Sequence, residues 1–293
     1  MNTPATKFFF SDNDAEITLH AAALIIAEAY RALAEQKRFS LVLAGGNSPR
    51  LLYTQLAEGV STELLERYAL PVPEKIPKNN HTLLQLPRNT WLFTGDERCV
   101  PINHSDSNYR MITETLLPKS GIPEDHLIRM NGNNVDTELA AREYETAIRL
   151  FFLAEAIPLQ DGFPIFDLVV LGIGADGHTA SLFADNAEAL QEKRRWVISV
   201  NAPAAKPPGK RLTITLPLIN NASNVLFFTP GDDKKMLAEK IFLEQEKSVP
   251  ASYVKPKRGN LFWFTTSRSA LPIQDQRNEL DKHQEADRQR HPG

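Results

Sequence analysis

The chain has 293 residues, of which 42% are hydrophobic and 24% are charged, a composition typical of a globular protein with a sizeable core. Its 33 lysines and arginines against 36 aspartates and glutamates give a formal charge of -3, which argues against a general nucleic-acid binder but leaves room for a local basic pocket. The single cysteine, Cys99, excludes an intramolecular disulfide and any multi-cysteine metal site.

The N-terminal residues give no sign of a targeting segment. Residues 1–20 lack the basic start and the long apolar stretch that a secretory signal requires. The longest apolar run nearby, residues 21–27, is far too short to cross a bilayer. We therefore expect a cytoplasmic protein that binds neither a membrane nor nucleic acid.

Short apolar runs alternate with longer amphipathic stretches along the chain, the pattern of a sheet flanked by helices. Ser11 or Asp12 is a candidate cap for a first helix that runs to about residue 37. The later predicted helices cover residues 49–57, 106–117, 136–154 and 231–243. The predicted strands cover residues 39–44, 91–94, 166–171, 196–200, 212–216, 225–228 and 261–264. This order predicts an α/β fold with a Rossmann-like, doubly wound, mostly parallel sheet flanked by helices.

The elements predict one catalytic α/β domain over residues 1–270. Residues 70–88 contain four prolines and little periodicity, so we expect them to form a surface loop insertion. Residues 271–293 are rich in Gln, Asp and Arg and have few apolar anchors, which predicts a disordered tail.

A glycine turn follows the first of these predicted strands. Gly45, Gly46, Asn47 and Ser48 lie between that strand and a helix that begins at Pro49, with Ser48 at the cap position. Free N–H groups at such a helix start favour an anion, and the glycines let a phosphate approach the backbone closely. An ordinary strand-to-helix turn is an equally good interpretation of this segment taken alone.

Asp176 and His178 follow the strongest predicted strand, at the edge where open α/β sheets bind their ligands. His178 is a candidate general base oriented by Asp176, and a loop histidine bonded to backbone is the alternative. The surrounding run, residues 172–177, has the G-x-G-x-x-G spacing of a dinucleotide site. The next strand ends at residues 201–203 without a carboxylate to hold a ribose, so this fingerprint is weak.

Two further segments place charge beside predicted strands. Asp96, Glu97 and Arg98 follow a strand and are candidates for binding a polyhydroxy ligand, with a surface salt bridge as the alternative. Arg211 and Lys234 stand near the start of a strand and of a helix, where either can place a cation beside a phosphate. No pair of histidines has metal-binding spacing, so we expect no metal site.

Taken in order, these segments resemble the 6-phosphogluconolactonase family, which shares a superfamily with the amino-sugar-6-phosphate isomerases. The motifs that carry the resemblance are G-G-N-S-P at 45–49, G-D-E-R-C-V-P at 95–101, H-S-D-S-N at 104–108, D-G-H-T-A-S-L-F at 176–183, R-L-T-I-T-L-P at 211–217 and G-D-D-K at 231–234. The run at 176–183 is highly specific, and the others are moderately so. Two departures stand out: Asn47-Ser48 replaces the usual Ser-Thr, and Thr266 replaces the usual aspartate.

The resemblance implies hydrolysis of 6-phospho-D-glucono-1,5-lactone to 6-phospho-D-gluconate in the oxidative pentose phosphate pathway, with no cofactor and no metal. It assigns proton abstraction from water to His178, orientation of the imidazole to Asp176 or nearby backbone, and stabilisation of the oxyanion to Arg98 or N–H groups of the loop. The residues that it assigns to the substrate and its phosphate are Gly45, Gly46, Asn47, Ser48, Asp96, Arg211 and Lys234. The implied partner is the small sugar phosphate lactone, and we expect a monomer or homodimer.

Three other functions are weighed against this one. An amino-sugar-6-phosphate isomerase/deaminase has Phe-Asn-Glu shortly after its motif histidine, whereas His178 is followed by T-A-S-L-F. A non-catalytic sugar-phosphate sensor on the same fold carries an N-terminal helix-turn-helix, and only about ten residues precede the first predicted helix. A nicotinamide dehydrogenase needs the ribose carboxylate that the 172–177 run does not supply.

Overall fold

The computed structural model describes residues 5–74, 83–243 and 245–266, leaving aside the side chains of residues 232 and 233. The strands are β1 (Thr6–Ser11), β2 (Phe39–Leu43), β3 (Thr90–Thr94), β4 (Asp96–Arg98), β5 (Leu127–Ile128), β6 (Leu168–Leu171), β7 (Val197–Ala202), β8 (Gly209–Ile214), β9 (Asn224–Thr229) and β10 (Asn260–Thr266). The helices are α1 (Asp14–Gln36), α2 (Pro49–Glu58), α3 (Thr62–Arg67), α4 (Asn108–Thr115), α5 (Leu117–Ser120), α6 (Thr137–Ala154), α7 (Ala187–Gln191), α8 (Leu216–Ile219) and α9 (Asp232–Phe242).

A seven-stranded sheet with the order β1-β10-β9-β6-β2-β3-β5 forms the centre of the molecule, and all of its pairings are parallel. From β2 the chain adds β3 and β5 on one side, and it then returns to add β6, β9 and β10 on the other. The strand order therefore reverses between β2 and β6, where Leu41 pairs with Leu168. The predicted doubly wound α/β fold is confirmed, and its ligand crevice is expected at this reversal point.

Every residue of β2 and of β6 is buried, as expected for parallel strands with helices on both faces. Helices α1 and α2 contribute to one core, and α6 and α9 contribute to the core on the other face. A second, antiparallel sheet with the order β4-β8-β7 lies beside the first. Only Gly95 lies between the end of β3 and the start of β4, so this residue joins the two sheets next to the crevice.

Helix α1 is long and apolar enough, by length and composition, to span a membrane, which the short run at residues 21–27 did not suggest. Eleven of its side chains are buried, and it packs against α2, α3 and the strands β1, β2 and β10. The core helix of a globular protein passes the same test of length and composition, so we interpret α1 as a core helix.

The N-terminal elements differ from the prediction in two ways. Residues 6–11 form β1, which pairs in parallel with β10, a partner too distant in sequence for a local pattern to indicate. Ser11 is the last residue of β1, and α1 begins only at Asp14. The cap is therefore Asn13, whose Oδ1 accepts from Ala15 N at 2.8 Å, and not Ser11 or Asp12.

The segment predicted as a surface loop, residues 70–88, is partly internal. Leu84 forms a bridge with Val60, and Leu84 and Leu86 are both buried. Gln85 Nε2 donates to the Ala57 carbonyl at 2.6 Å. The apolar side chains at this end of the segment pack on the core, so the expectation of a surface loop fails there. Residues 75–82 and the predicted tail, 271–293, lie outside the described residues.

Candidate active site

A cleft of about 380 Å³ opens at the carboxyl ends of β2, β3 and β6, at the reversal point of the sheet, where ligands bind in open α/β folds. Its volume lies in the range of small-molecule sites. The predicted site residues that line it are Gly45, Gly46, Asn47, Ser48, Asp96, Arg98, His178, Arg211 and Lys234. Asp176 is not among the lining residues but contacts His178 directly. Other lining residues were not predicted as site residues, and they include Arg50, Asp106, Asn108 and Lys206.

The glycine turn leads from β2 into α2, and Gly46 has a φ of +90° that favours glycine. Pro49 is the first residue of the helix, as predicted. Ser48 stands at the cap position but in a helical conformation, and its side chain makes no capping bond, so the expected capping role is wrong. Its Oγ instead accepts a hydrogen bond from Lys234 Nζ at 2.9 Å. This contact brings together two residues that were predicted to bind the phosphate.

Asn108 joins the glycine turn to the charged segment that follows β3. Its Oδ1 accepts from Gly46 N at 3.3 Å and from Arg98 Nη1 at 2.6 Å, and its Nδ2 donates to Asp96 Oδ1 at 2.9 Å. A Cβ at Gly45 would lie 2.0 Å from Asn108 Nδ2, so only glycine permits this approach. The H-S-D-S-N motif contained Asn108, but no local pattern indicated its partners.

Glu97 holds the start of α4 in place through hydrogen bonds and does not form the surface salt bridge that was the alternative prediction. Its side chain is buried and accepts from Asn108 N and Tyr109 N, both at 2.8 Å, and from Ser107 Oγ at 3.1 Å. Burial raises the pKa of Glu97 although these backbone bonds oppose the rise. A carboxylate at the N-terminus of α4 satisfies free N–H groups and is favoured by the helix dipole.

Arg98 and Arg211 pair with each other across β4 and β8 and line the cleft side by side. Arg98 Nη1 also donates to the Asp106 carbonyl at 2.7 Å, and Arg211 Nη2 donates to the Pro207 carbonyl at 2.8 Å. The Nε atoms of both arginines are buried without a hydrogen-bond partner among the described residues. Burial lowers the pKa of Arg211, and the neighbouring Arg98 contributes to that shift while Asp96 opposes it. Two adjacent guanidiniums that line one cleft favour a bound anion there.

His178 extends from the turn after β6. Its Nδ1 lies 2.5 Å from Asp176 Oδ1, and its ring packs on Phe183 with centroids 4.6 Å apart. A carboxylate on Nδ1 favours the tautomer with the proton on that nitrogen, which leaves the lone pair of Nε2 to act as a base. Partial burial opposes ionisation of Asp176, but hydrogen bonding to His178 and its charge outweigh that effect, so the pKa of the carboxyl is lowered.

Asp96 connects the remaining segments of the site. It is buried, and its Oδ2 accepts from Ser181 Oγ at 2.7 Å while its Oδ1 accepts from Asn108 Nδ2 at 2.9 Å. Ser181 was quoted in the D-G-H-T-A-S-L-F motif but was not singled out as a site residue. Because both oxygens of Asp96 are engaged, this carboxylate fixes the geometry of the cleft.

Cys99 is half-buried. Burial and the nearby Glu97 raise the pKa of its thiol to about 11, against the opposing effect of Lys210 and Arg211. A thiol with so high a pKa is a poor nucleophile at neutral pH. The cysteine therefore acts as a small packing residue.

Three comparisons with known proteins agree on the relationships of the chain. The human 6-phosphogluconolactonase is 34% identical over 257 residues, which cover 87% of this chain and 86% of that protein. The 6-phosphogluconolactonase of Synechocystis is 37% identical over 236 residues, covering 80% and 84%. The structure of the 6-phosphogluconolactonase from Thermotoga maritima superposes with a TM-score of 0.67 at 27% identity, covering 89% of this chain and all of that one.

The family model for glucosamine-6-phosphate isomerases and 6-phosphogluconolactonase matches residues 12–263. That range includes the glycine turn, both arginines, His178 and Lys234, and it ends inside β10. From the extent of this match and the two relatives above, we conclude that the chain belongs to the glucosamine-6-phosphate isomerase/6-phosphogluconolactonase family.

Proposed function

We propose that the chain hydrolyses 6-phospho-D-glucono-1,5-lactone to 6-phospho-D-gluconate, the lactonase step of the oxidative pentose phosphate pathway. The observation that carries the proposal is the convergence of two chemistries in one cleft. At one part of the cleft lies an imidazole oriented by a carboxylate, and at another lie a helix start and several cations. A neutral ester at one end and a phosphate at the other match this arrangement.

The phosphate binds at the start of α2 in this proposal. Backbone N–H groups of the turn at 45–48 and the helix dipole favour an anion there. Lys234 is already bonded to Ser48, and the guanidinium of Arg211 lines the same cleft. Charge-assisted hydrogen bonds of this kind contribute about 1.5–3 kcal/mol each. The replacement of the usual Ser-Thr by Asn47-Ser48 keeps the hydroxyl that precedes Pro49.

The reaction uses His178 as a general base. Nε2 takes a proton from a water molecule as that water attacks the lactone carbonyl, and Asp176 holds the imidazole and stabilises its charged form. Arg98 stabilises the oxyanion of the tetrahedral intermediate. When the intermediate collapses, the bond from C1 to the ring oxygen breaks and His178 returns the proton to that oxygen. A general base contributes about 10²–10⁴-fold and an oxyanion donor about 10²–10³-fold.

The residues that follow His178 favour hydrolysis over sugar phosphate isomerisation. An amino-sugar-6-phosphate isomerase has a glutamate shortly after its motif histidine, and this carboxylate helps the histidine with proton transfer. In this chain T-A-S-L-F follows His178, and the first glutamate after it is Glu188. This difference supports the lactonase.

Lactone hydrolysis above the spontaneous rate, with purified wild type and His178→Asn, tests the proposal. The variant should lower kcat by about 10²–10⁴-fold with little change in KM. Near-wild-type kcat in the variant would remove His178 from the mechanism. Parallel assays with glucosamine 6-phosphate and with NAD should show no turnover. Turnover of glucosamine 6-phosphate without lactone hydrolysis would replace the proposal by the isomerase alternative.

A further inference from the structure

Helix α9 is tied at its first turn to two other parts of the molecule. Gly231, at its cap position, has a φ of +96°, and its backbone N–H donates to Asp14 Oδ1 and to Thr266 Oγ1, both at 3.2 Å. Thr266 Oγ1 in turn donates to the same oxygen of Asp14. A single carboxylate at the start of α1 therefore joins the end of β10 to the start of α9.

This junction stands just before Lys234 in the chain. Lys234 lies in the first turn of α9, and its Nζ donates to Ser48 Oγ in the glycine turn. The first turn of a helix has no intrahelical partners for its N–H groups, so its position depends on contacts made from outside. Where Gly231 is held consequently decides where the Lys234 ammonium lies relative to the glycine turn.

Asp14 suits this position on electrostatic grounds. It is the first residue of α1 and also contacts the start of α9, and a carboxylate is stabilised near a helix N-terminus. Thr266 is 3% exposed, so its hydroxyl depends on these protein partners for its hydrogen bonds. Because Thr266 Oγ1 contacts both Gly231 N and Asp14 Oδ1, a carboxylate at position 266 can reach the same Gly231 N–H.

We propose that Asp14 is a positioning residue for phosphate recognition, which acts with Thr266 to fix the start of α9 so that Lys234 faces the phosphate. The inference rests on the proposed function for the role of Lys234, and Asp14 itself does not contact substrate.

Moving the carboxylate between the two positions tests the inference. Asp14→Ala should raise KM for 6-phospho-D-glucono-1,5-lactone at least about fivefold, equivalent to ~1 kcal/mol, with kcat changed less than about twofold. Thr266→Asp alone should also raise KM, because it places two carboxylates against each other. The double variant Asp14→Ala/Thr266→Asp should return KM to within about twofold of wild type. Turnover of unphosphorylated D-glucono-1,5-lactone should be the same in all of these proteins.

A matched control and a second readout separate this inference from the proposed function. Asp12→Ala removes an exposed acidic side chain two residues earlier and should leave KM unchanged. Amide hydrogen exchange over residues 232–242 should accelerate in Asp14→Ala and recover in the double variant, whether or not the wild type hydrolyses the lactone.

Absence of wild-type lactonase activity would overturn the proposed function alone. Unchanged exchange in Asp14→Ala, an unchanged KM in that variant when the wild type is active, or a folded double variant without recovery would overturn the positioning role. If Asp14→Ala does not fold, Asp14→Asn should shift both readouts in the same direction, and an unshifted Asn variant would refute the inference.

Discussion

The imidazole of His178 lies directly against the backbone of Gly174, which makes that glycine a sensitive point of the site. A Cβ at Gly174 would stand 2.1 Å from both Cε1 and Nδ1 of the ring and 2.6 Å from Asp176 Oδ1. Ordinary van der Waals contact begins at 3.4 Å, so the ring would have to retreat by more than about 1 Å. Gly174→Ala therefore displaces the base and its orienting carboxylate without removing either one.

The displacement of His178 and Asp176 predicts a loss of kcat with little change in KM. A misplacement of about 1 Å in a catalytic group costs on the order of 10²-fold, so kcat should fall by about that factor. KM for the phosphorylated lactone should stay within about threefold of the wild-type value, because the residues proposed to bind the phosphate belong to other segments. Gly174 is not among the residues with positive φ, so its backbone accepts alanine and the fold should be retained.

Steady-state hydrolysis of the phosphorylated lactone, corrected for spontaneous opening, measures this loss. Ala175→Ser is the matched control: the residue is adjacent and exposed, and the substitution also adds one heavy atom, so kcat should stay within about twofold. Wild-type kcat in Gly174→Ala would refute the reasoning. A raised KM with unchanged kcat would show that the glycine serves binding and not the placement of His178.

Three further predictions follow from individual contacts. Arg211→Ala should raise KM for the phosphorylated lactone at least about tenfold and barely alter the weak turnover of unphosphorylated lactone, whereas an equal loss on both substrates would contradict the phosphate assignment. Asn108→Ala, which removes one of the two acceptors of Arg98 Nη1 and the acceptor of the Gly46 N–H, should lower kcat/KM about tenfold in steady-state kinetics, and an unchanged value would contradict its connecting role. Burial lowers the pKa of His20 to about 4 from the usual 6.5, so the unfolded chain binds more protons between those values and stability falls as pH drops through that range. His20→Phe should therefore lose less unfolding free energy than wild type between about pH 7 and pH 5 in urea titrations, and equal losses would contradict this origin of the pH dependence.

The sequence by itself determined the class of fold and nine of the residues that line the cleft. The apolar run that became β6 reads as a strand buried on both faces, and polar segments follow this strand and its neighbours directly. In a parallel sheet the carboxyl ends of the strands share one edge. Segments as distant as Ser48, Arg98 and His178 could for that reason be expected near one another before any contact was known.

Tertiary structure alone decided which side chains make which contacts. Asn108 bonds to Gly46 over 62 residues of chain, Lys234 to Ser48 over 186, and Thr266 to Asp14 over 252. Local patterns encode the period and the ends of helices and strands, because they depend on neighbouring residues. A hydrogen bond between distant segments depends instead on how the packed elements orient their side chains. The capping of α1, the strand β1 and the carboxylate that reaches α9 consequently appeared only in the folded chain.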